Sequence, residues 1–234
     1  MPTCRLSRAP VEAHFCDGGD RGNTTSYLFK LITGLTLLVA LPASAQVLYN
    51  NGPIAGGIDA WTINFGFVVS DSFTISQGTS QVNGLVFGGW IFPGDVIESV
   101  EVSITSAEFG GTTYFDQQVP FTASNCGGND YGYNVCDETG SFNGPTLGNG
   151  TYWINLQNAI VNTGDPAYWD ENSGDGCTSP GCPSQASDNS TGPIPSESFT
   201  VLGGPTSTVP EPGSLLLLFS GGVAVAGVLR RRWR

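Results

Sequence analysis

An all-β fold, an antiparallel β-sandwich of jelly-roll-like type, is predicted for residues 46–202 of this 234-residue chain. Three observations predict it. Short apolar runs alternate with polar residues at a period of two, which is typical of half-buried strands. Turn-forming residues separate these runs, and the chain holds 33 Gly and 15 Pro. Residues 46–202 also lack a long apolar stripe at helical spacing, so sheets alone must build the core.

The predicted strands of the first half follow a polar, Gly-rich lead-in at residues 46–57. Alternation over residues 61–69 predicts a strand with these inward side chains: Trp61, Ile63, Phe65, Phe67 and Val69. A shorter strand places Phe73 and Ile75 inward. Residues 82–92 are largely apolar and contain Gly84, Gly88 and Gly89, which predicts a central strand with a bulge or a close backbone approach.

The second half contains further strands and two loop-like segments. Strands are predicted at residues 96–104, 112–119, 151–160 and 198–202, and Pro120 is expected to end the second of these. Residues 124–143 are loop-like, although Tyr131, Tyr133 and Val135 alternate inside them. Residues 162–192 form a long polar segment, which indicates either a functional loop or poor order.

The segment at residues 30–45 is predicted to be the core and cleavage site of a secretory signal peptide. Lys30 precedes a short apolar run, and the small residues Ala43-Ser-Ala45 predict cleavage after Ala45. The Sec translocon and a signal peptidase are therefore expected partners. Residues 1–29 exceed what such a leader needs, and we interpret them as an extension that results from a start codon placed too far upstream, with an unusual leader as the alternative.

The charge of the exported segment is one-sided. Residues 46–209 contain 16 Asp and Glu residues and no Lys, Arg or His. Such a domain cannot neutralise phosphates, so nucleic-acid binding and attachment to anionic lipid headgroups are excluded. Without histidine it can assemble neither a Ser-His-Asp site nor an imidazole-bound zinc. Carboxylate chemistry and oxygen-ligated cations such as calcium are what remain.

Four cysteines lie in the exported segment, in two closely spaced pairs. Export favours disulfides, and the short spacing favours Cys126 with Cys136 and Cys177 with Cys182 among the three connectivities. Each bond would close a small loop in a Gly-rich region. A metal site of four thiolates is the alternative.

The stretch at residues 165–176 is the richest in functional side chains. Its candidate glycan-binding residues are Tyr168, Trp169, Asp170 and Asn172, because aromatic rings stack on sugars while polar groups bind hydroxyls. Its candidate calcium ligands are Asp170, Asn172 and Asp175. The match to an EF-hand loop is poor, because Gly occupies a position that requires a ligand and Asp occupies the position that requires Gly. The alternative is a disulfide-closed surface loop that its aromatic residues pin to the sandwich.

A carboxylate-based enzyme is a further alternative. Glu98, Glu101 and Glu108 are its candidate acids, but Glu98 and Glu101 would face opposite sides of a straight strand, so solvated surface charge is the simpler interpretation. Trp90 and Trp153 are candidate binding platforms, and on strands such residues are more often part of the core.

The C-terminal residues combine three signals in a fixed order. The prolines hold Val209-Pro210-Glu211-Pro212 extended and exposed, after a flexible spacer at residues 203–208. Residues 214–229 carry no charge and are nearly long enough for a single transmembrane helix. A basic membrane-stop signal then keeps the end of the chain in the cytoplasm, and it consists of Arg230, Arg231, Arg232 and Arg234.

This combination, over residues 209–234, resembles the PEP-CTERM sorting signal of Gram-negative bacteria. The resemblance implies that an exosortase, a membrane transpeptidase-like cysteine protease, reads the motif. It also implies transient anchoring in the inner membrane, followed by release to the cell surface or the exopolysaccharide matrix. An anchor that is never processed is the alternative. The segments Gly150–Trp153 and Tyr168–Gly174 are similar to sandwich domains of other PEP-CTERM proteins.

We therefore expect an exported structural or adhesive protein of the cell surface or the extracellular matrix. We expect no enzymatic activity and no cofactor other than calcium, with exopolysaccharide as a candidate partner. A glycan-binding module is the first alternative, and a carboxylate-based carbohydrate-active enzyme is the second.

Overall fold

A computed structural model describes residues 46–205 of the chain. The N-terminal extension, the signal peptide and the sorting segment therefore lie outside the described residues. Thirteen strands and no helix are found within residues 46–205. They are β1 (Gln46–Asn50), β2 (Ala60–Thr62), β3 (Val68–Ile75), β4 (Ser80–Ile91), β5 (Ile97–Ala107), β6 (Gly110–Gly128), β7 (Asn134–Ser141), β8 (Thr146–Leu147), β9 (Gly150–Val161), β10 (Tyr168–Asp170), β11 (Ala186–Asp188), β12 (Gly192–Ile194) and β13 (Phe199–Pro205).

All strand pairs are antiparallel, and the predicted all-β fold is confirmed. The strands follow the order β1-β13-β4-β7-β6-β5-β9-β3-β11-β12 in one curled sheet, and β2, β8 and β10 attach near β4. The long strand β6 joins the two halves. Its first part pairs with β5 as far as Pro120, and its second part pairs with β7 from Phe121 onward.

The core lies between the two halves of the curled sheet and is built by the inward side chains of every long strand. Tyr49 on β1 contacts Phe73 on β3, with ring centroids 6.4 Å apart, so residues from the two halves meet across the core. Trp169 on β10 is fully buried and lies edge-on to Phe87 and Phe199. This sandwich-like packing removes large apolar side chains from water, which is the main favourable term in folding.

Several strand predictions are confirmed. The central strand is β4, and its glycines allow the predicted close approach. A Cβ on Gly88 would lie 2.6 Å from the Cβ of Asp170, and a Cβ on Gly89 would lie 2.7 Å from Cγ of Glu138. The strand expected at residues 151–160 is β9, and the closing strand is β13.

The strand prediction for residues 61–69 is wrong in part. The chain leaves β2 at Thr62 and enters β3 only at Val68. Phe65 takes a positive φ of 57° and is 65% exposed, and Phe67 is exposed as well. Aromatic and polar residues continue to alternate through this turn. Alternate residues share one face only where the backbone is extended, and here it is not.

Three segments expected to be irregular contain strands. Residues 46–50 of the lead-in form β1, which pairs with β13. Pro120 lies within β6 rather than at its end, and residues 124–143 include the end of β6 and all of β7. Residues 162–192 contain β10, β11 and the first residue of β12. Short strands rich in Gly and Asp are stabilised here by their pairing partners rather than by local propensity.

Both predicted disulfides are present, Cys126–Cys136 and Cys177–Cys182. The first joins β6 to β7, and the second closes the loop after β10. Within residues 46–205 there is no helix with the length and hydropathy needed to cross a membrane.

Candidate functional site: an aromatic cleft

A row of side chains crosses five strands on the outer face of the sheet. Directly opposed residues of antiparallel strands project to the same side, so the pairing defines the row. Tyr168 pairs with Trp90, Trp90 pairs with Val135, and Val135 pairs with Gly127. On the other side Tyr168 pairs with Thr62. The strands β2, β10, β4, β7 and β6 thus present one continuous surface.

Aromatic rings cover this surface. Tyr131, from the turn between β6 and β7, stacks on Trp90 with ring centroids 5.7 Å apart and an interplanar angle of 25°. Tyr133 lies 5.4 Å from Tyr168 in an edge-on contact and stacks on Phe92 at 5.0 Å. Trp90 is nearly buried beneath them, whereas Tyr131 is 60% exposed. The cluster therefore has a rigid base and an accessible ring.

Two cavities adjoin at Tyr131 and together form what we call the aromatic cleft. The larger has a volume of about 450 Å³, and Tyr131, Asp130 and Asp137 are among its lining residues. The smaller has a volume of about 190 Å³ and is lined by Asp59 and by the four aromatic residues Trp90, Tyr131, Tyr133 and Tyr168. Carboxylates therefore lie on both sides of the exposed ring.

The buried carboxylate of Asp170 holds one wall of the cleft in place. Its oxygens accept hydrogen bonds from Ala55 N at 2.8 Å and Gly56 N at 2.9 Å, which fixes the loop at residues 54–57. They also accept from Trp90 Nε1 at 2.7 Å and from Ser198 Oγ at 2.9 Å. One carboxylate thus fixes both the loop and the ring on which Tyr131 stacks.

The opposite wall is the turn between β6 and β7. Asn129 Oδ1 accepts hydrogen bonds from the backbone N–H groups of Tyr131 and Tyr133, at 3.1 and 3.0 Å, which shapes the turn. The Cys126–Cys136 disulfide holds the two strands together at the base of this turn.

Tyr168, on the other side of the cleft, is uncharged at physiological pH. Burial, with a further contribution from the neighbouring Tyr133, raises the pKa of Tyr168 to about 12, so Tyr168 keeps its proton.

The glycan-binding prediction for residues 168–172 needs correction. Trp169, Asp170 and Asn172 are completely buried, so they have no surface to offer a ligand. Trp169 donates its indole N–H to Ser198 O at 2.9 Å. Asn172 Nδ2 donates to Asn51 O at 2.7 Å, and Asn172 Oδ1 accepts from Gly174 N. Of the four predicted residues, Tyr168 alone lines the cleft.

The calcium prediction at Asp170, Asn172 and Asp175 is wrong for the first two residues. Hydrogen-bond donors occupy both oxygens of Asp170, and the Asn172 amide is committed to backbone partners on both of its atoms. Asp175 is exposed in the loop that follows. Within residues 46–205, no three acidic, Cys or His side chains are grouped so that they could hold a metal ion.

The candidate catalytic acids lie apart from the cleft. Glu98 and Glu108 are exposed. Glu101 accepts hydrogen bonds from Gln157 Nε2 at 2.7 Å and Asn158 Nδ2 at 2.8 Å. Trp153 is half-buried on β9, on the other half of the sheet.

A separate set of carboxyl groups points into the core. Glu138 and Glu197 are fully buried, and neither carboxyl has a hydrogen-bonding partner among residues 46–205. Burial raises the pKa of Glu138 to about 7, with a smaller contribution from Asp137. Burial, and then the charges of Asp71 and Glu171, raise the pKa of Glu197 well above its usual range. Glu197 is therefore expected to keep its proton in the folded protein at neutral pH, whereas Glu138 titrates close to neutral pH.

One pattern in the sequence points to the cleft. Tyr131, Tyr133 and Val135 alternate in the sequence, and alternation is a strand pattern even inside a Gly-rich segment. Tyr133 and Val135 do project toward the cleft, whereas Tyr131 reaches it from the turn. Trp90 is buried on the outer face because Tyr131 covers it, and it still lines the smaller cavity.

Comparison with known families supports the interpretation of the C-terminal segment. Residues 208–232 match the model of the PEP-CTERM protein-sorting motif, in agreement with the predicted signal at residues 209–234. The comparison with curated proteins gave no match. The chain carries the PEP-CTERM sorting signal of an exported exosortase substrate.

Proposed function

We propose that this protein is a structural or adhesive component of the cell surface or the exopolysaccharide matrix, and that it acts by contact rather than by catalysis. The observation that carries the proposal is the sorting motif at residues 208–232, which follows closely on a disulfide-bonded β domain with an exposed aromatic cleft. The motif directs sorting of the protein, and the cleft offers a surface for contact.

Maturation follows from the sorting signal. The Sec translocon and a signal peptidase deliver the domain across the inner membrane, with the apolar segment at residues 214–229 as a transient anchor. The exosortase then acts at the motif around Glu211 and releases the domain toward the surface. The two disulfides suit this route, because disulfides form and persist outside the cytoplasm.

The position of the perturbed carboxyl groups supports a non-catalytic role. A glycosidase needs a substrate-facing acid with a raised pKa. The groups whose pKa is raised most, Asp71, Glu138 and Glu197, are completely buried and do not line the cleft.

The aromatic cleft favours a second function, that of a glycan-binding module. Ligand sites are concave, combine aromatic rings with a few polar groups, and have volumes of about 300–1,000 Å³. The larger cavity, at about 450 Å³, falls in this range. Tyrosine gives rigid contact area at a low entropic cost, which suits an adhesive surface.

Localisation and contact can be tested in one experiment. The full chain would be expressed in an exosortase-containing host, and the membrane, surface and matrix fractions would be compared by immunoblotting and mass spectrometry. We expect a surface or matrix form that ends close to Pro212, and its replacement by an inner-membrane form when residues 209–212 are changed to alanine. Recovery of intact protein ending at Arg234 on the cell surface would contradict exosortase processing.

A blocking variant tests the role of the cleft in matrix retention. Gly127 lies opposite Val135 on the cleft side of the sheet, and a Cβ added to it meets no atom within 4 Å. Gly127→Trp should therefore fill part of the cleft with little effect on folding. We expect it to leave export unchanged and to shift protein from the matrix fraction to the medium. Unchanged retention would exclude the cleft as the contact surface.

A further inference from the structure

We propose that the aromatic cleft binds a polysaccharide that carries free amino groups, and that Tyr131 stacks on its sugar rings. This inference rests on the contact function proposed above and names the ligand class of the same site. It draws on two features of the cleft, the position of one ring and the sign of the charge around it.

The ring of Tyr131 is placed to receive a sugar. One of its faces stacks on Trp90 with centroids 5.7 Å apart, and the ring is 60% exposed, so its other face is open to solvent. The C–H face of a pyranose ring is apolar and packs against an aromatic face. Because Tyr131 lines both cavities, a chain that crosses it would place neighbouring sugar units on its two sides.

The charge around Tyr131 selects the class of sugar. Asp59 lies in the smaller cavity, and Asp130 and Asp137 lie in the larger one. Residues 46–205 contain no Lys, Arg or His, so no cationic side chain of the domain offsets these carboxylates. An ammonium substituent would form charge-assisted hydrogen bonds with them. It would also be attracted to the face of the tyrosine ring.

The same charge disfavours other occupants. Glycans that contain uronic acids or sulfates would meet carboxylates on both sides of the ring and would be repelled. A neutral glycan could stack on Tyr131 but would leave the negative charge of the three acids without a compensating cation. A basic peptide could use the acids without needing a sugar-sized aromatic face. These occupants are therefore separate outcomes of the test.

Binding by the full chain, exported and purified in detergent, would be measured by isothermal titration calorimetry. The probes are β-1,4-linked glucosamine oligomers, the same oligomers fully N-acetylated, galacturonate oligomers and an oligolysine peptide, at a mildly acidic pH that keeps the amino groups protonated. We expect the glucosamine oligomer to bind at least about tenfold more tightly than its acetylated form, a difference of about 1.4 kcal/mol. Galacturonate should not bind.

Matched variants separate stacking from general charge attraction. Tyr131→Ala should weaken glucosamine binding by about tenfold or more, the scale of a central aromatic contact. Tyr114→Ala removes a comparably exposed tyrosine from the first part of β6 and should have no effect. The double change Asp130→Asn and Asp137→Asn should greatly reduce the preference for the amino form, since Asp59 alone then remains beside the ring. The charge-matched control is Glu98→Gln with Glu108→Gln.

Several results would overturn the inference. Equal affinity for the amino and acetylated oligomers would reject charge selection, and binding of galacturonate would reverse it. Glucosamine binding that survives Tyr131→Ala would reduce the effect to general charge attraction. Oligolysine binding that is equally tight and equally sensitive to Tyr131→Ala would point to a peptide ligand. Each of these results leaves the localisation experiment unaffected, so the two proposals can fail separately.

Discussion

Asp170 and Glu138 are both completely buried acids on strands that flank β4, and the sheet treats them in opposite ways. Asp170 lies on the outer face, where four neutral donors from a covering loop, an indole and a serine satisfy its oxygens. Glu138 is opposite Phe87 and shares its inward face, where its carboxyl has no partner among the described residues.

The difference shows how a domain without cations can bury carboxyl groups. On the outer face, a loop can bring backbone N–H groups to the carboxyl group, so that its oxygens have hydrogen-bond partners despite their burial. Around Glu138 the N–H groups of the sheet are used in strand pairing, and no described group donates to its carboxyl. An acid there must lose its charge by taking up a proton, because burying an unpaired charge is far more costly. Asp71 is an intermediate case, because Ser72 N and Glu197 N donate to its oxygens while burial still raises its pKa.

Among single substitutions, removal of Asp170 should give the largest effect. Asp170→Ala leaves four donors without their acceptor and frees the loop at residues 54–57, and each buried unsatisfied donor costs about 1–3 kcal/mol. We expect the free energy of unfolding to fall by about 4 kcal/mol or more in urea titrations. Asp175→Ala, an exposed acid in the same segment, should change it by less than about 0.5 kcal/mol. Similar values for the two variants would show that the outer-face network contributes little.

The inward acids should make the domain less stable as the pH rises. Burial raises the pKa of Asp71 from 3.8 to about 7 and that of Glu138 from 4.5 to about 7. The folded state therefore binds more protons than the unfolded state between these values, so stability is full below about pH 4 and is lost as the pH rises through 7. We expect the free energy of unfolding to be about 5 kcal/mol lower at pH 8 than at pH 5, with roughly half of the loss from each carboxyl group. A stability that rises over this range would contradict the assignment.

A neutral replacement should isolate the contribution of Glu138. Glu138→Gln keeps the shape of the side chain and cannot ionise. We expect it to raise the free energy of unfolding by about 3 kcal/mol at pH 8 and to change it little at pH 4, where the parent carboxyl is already protonated. Glu98→Gln, at an exposed position, serves as the control and should leave the pH profile unchanged. A loss of stability at pH 8 would indicate that the ionised form has a partner.

The smallest expected effect is that of added ions. Repulsion among 16 acids is screened as the Debye length falls from about 30 Å at 0.01 M salt to about 8 Å at 0.15 M, so the melting temperature should rise by a few degrees with NaCl. Because donors occupy Asp170, calcium should add nothing beyond NaCl of matched ionic strength. An additional increase specific to calcium would reveal a site that these contacts do not account for.

The parts of the fold that sequence predicts are those where local pattern and tertiary structure agree. The strands β4, β9 and β13 combine apolar alternation with flanking turns, and they were placed correctly. The turn at Phe65 and Phe67 is not predicted by the sequence, because two aromatic residues at alternate positions give the same pattern as a half-buried strand. In β7 and β10, pairing with β4 overrides Gly and Asp residues that disfavour strands when judged alone.

The candidate site was predictable in type but not in membership. The sequence correctly drew attention to the aromatic and acidic residues near position 168. The residue types predict that Trp169 and Asp170 lie on the surface, because acidic residues and their neighbours are usually exposed. The burial of Asp170 depends on N–H donors at residues 55 and 56, more than a hundred positions away, and no local pattern reports a contact of that kind.

The pairing of β13 with β4 sets the distance between the cleft and the point where the chain leaves the domain. Pro205 pairs with Ser80, the first residue of β4, whereas Trp90 lies near the other end of that strand. At about 3.3 Å per residue, the intervening length corresponds to roughly 30 Å. The sorting motif begins at residue 208, only a few residues beyond Pro205. A protein tethered through that motif would hold its cleft away from the tether. Tension between the tether and a polymer bound in the cleft would act lengthwise along β4. In that direction many strand-pairing hydrogen bonds must break together before the sheet can open.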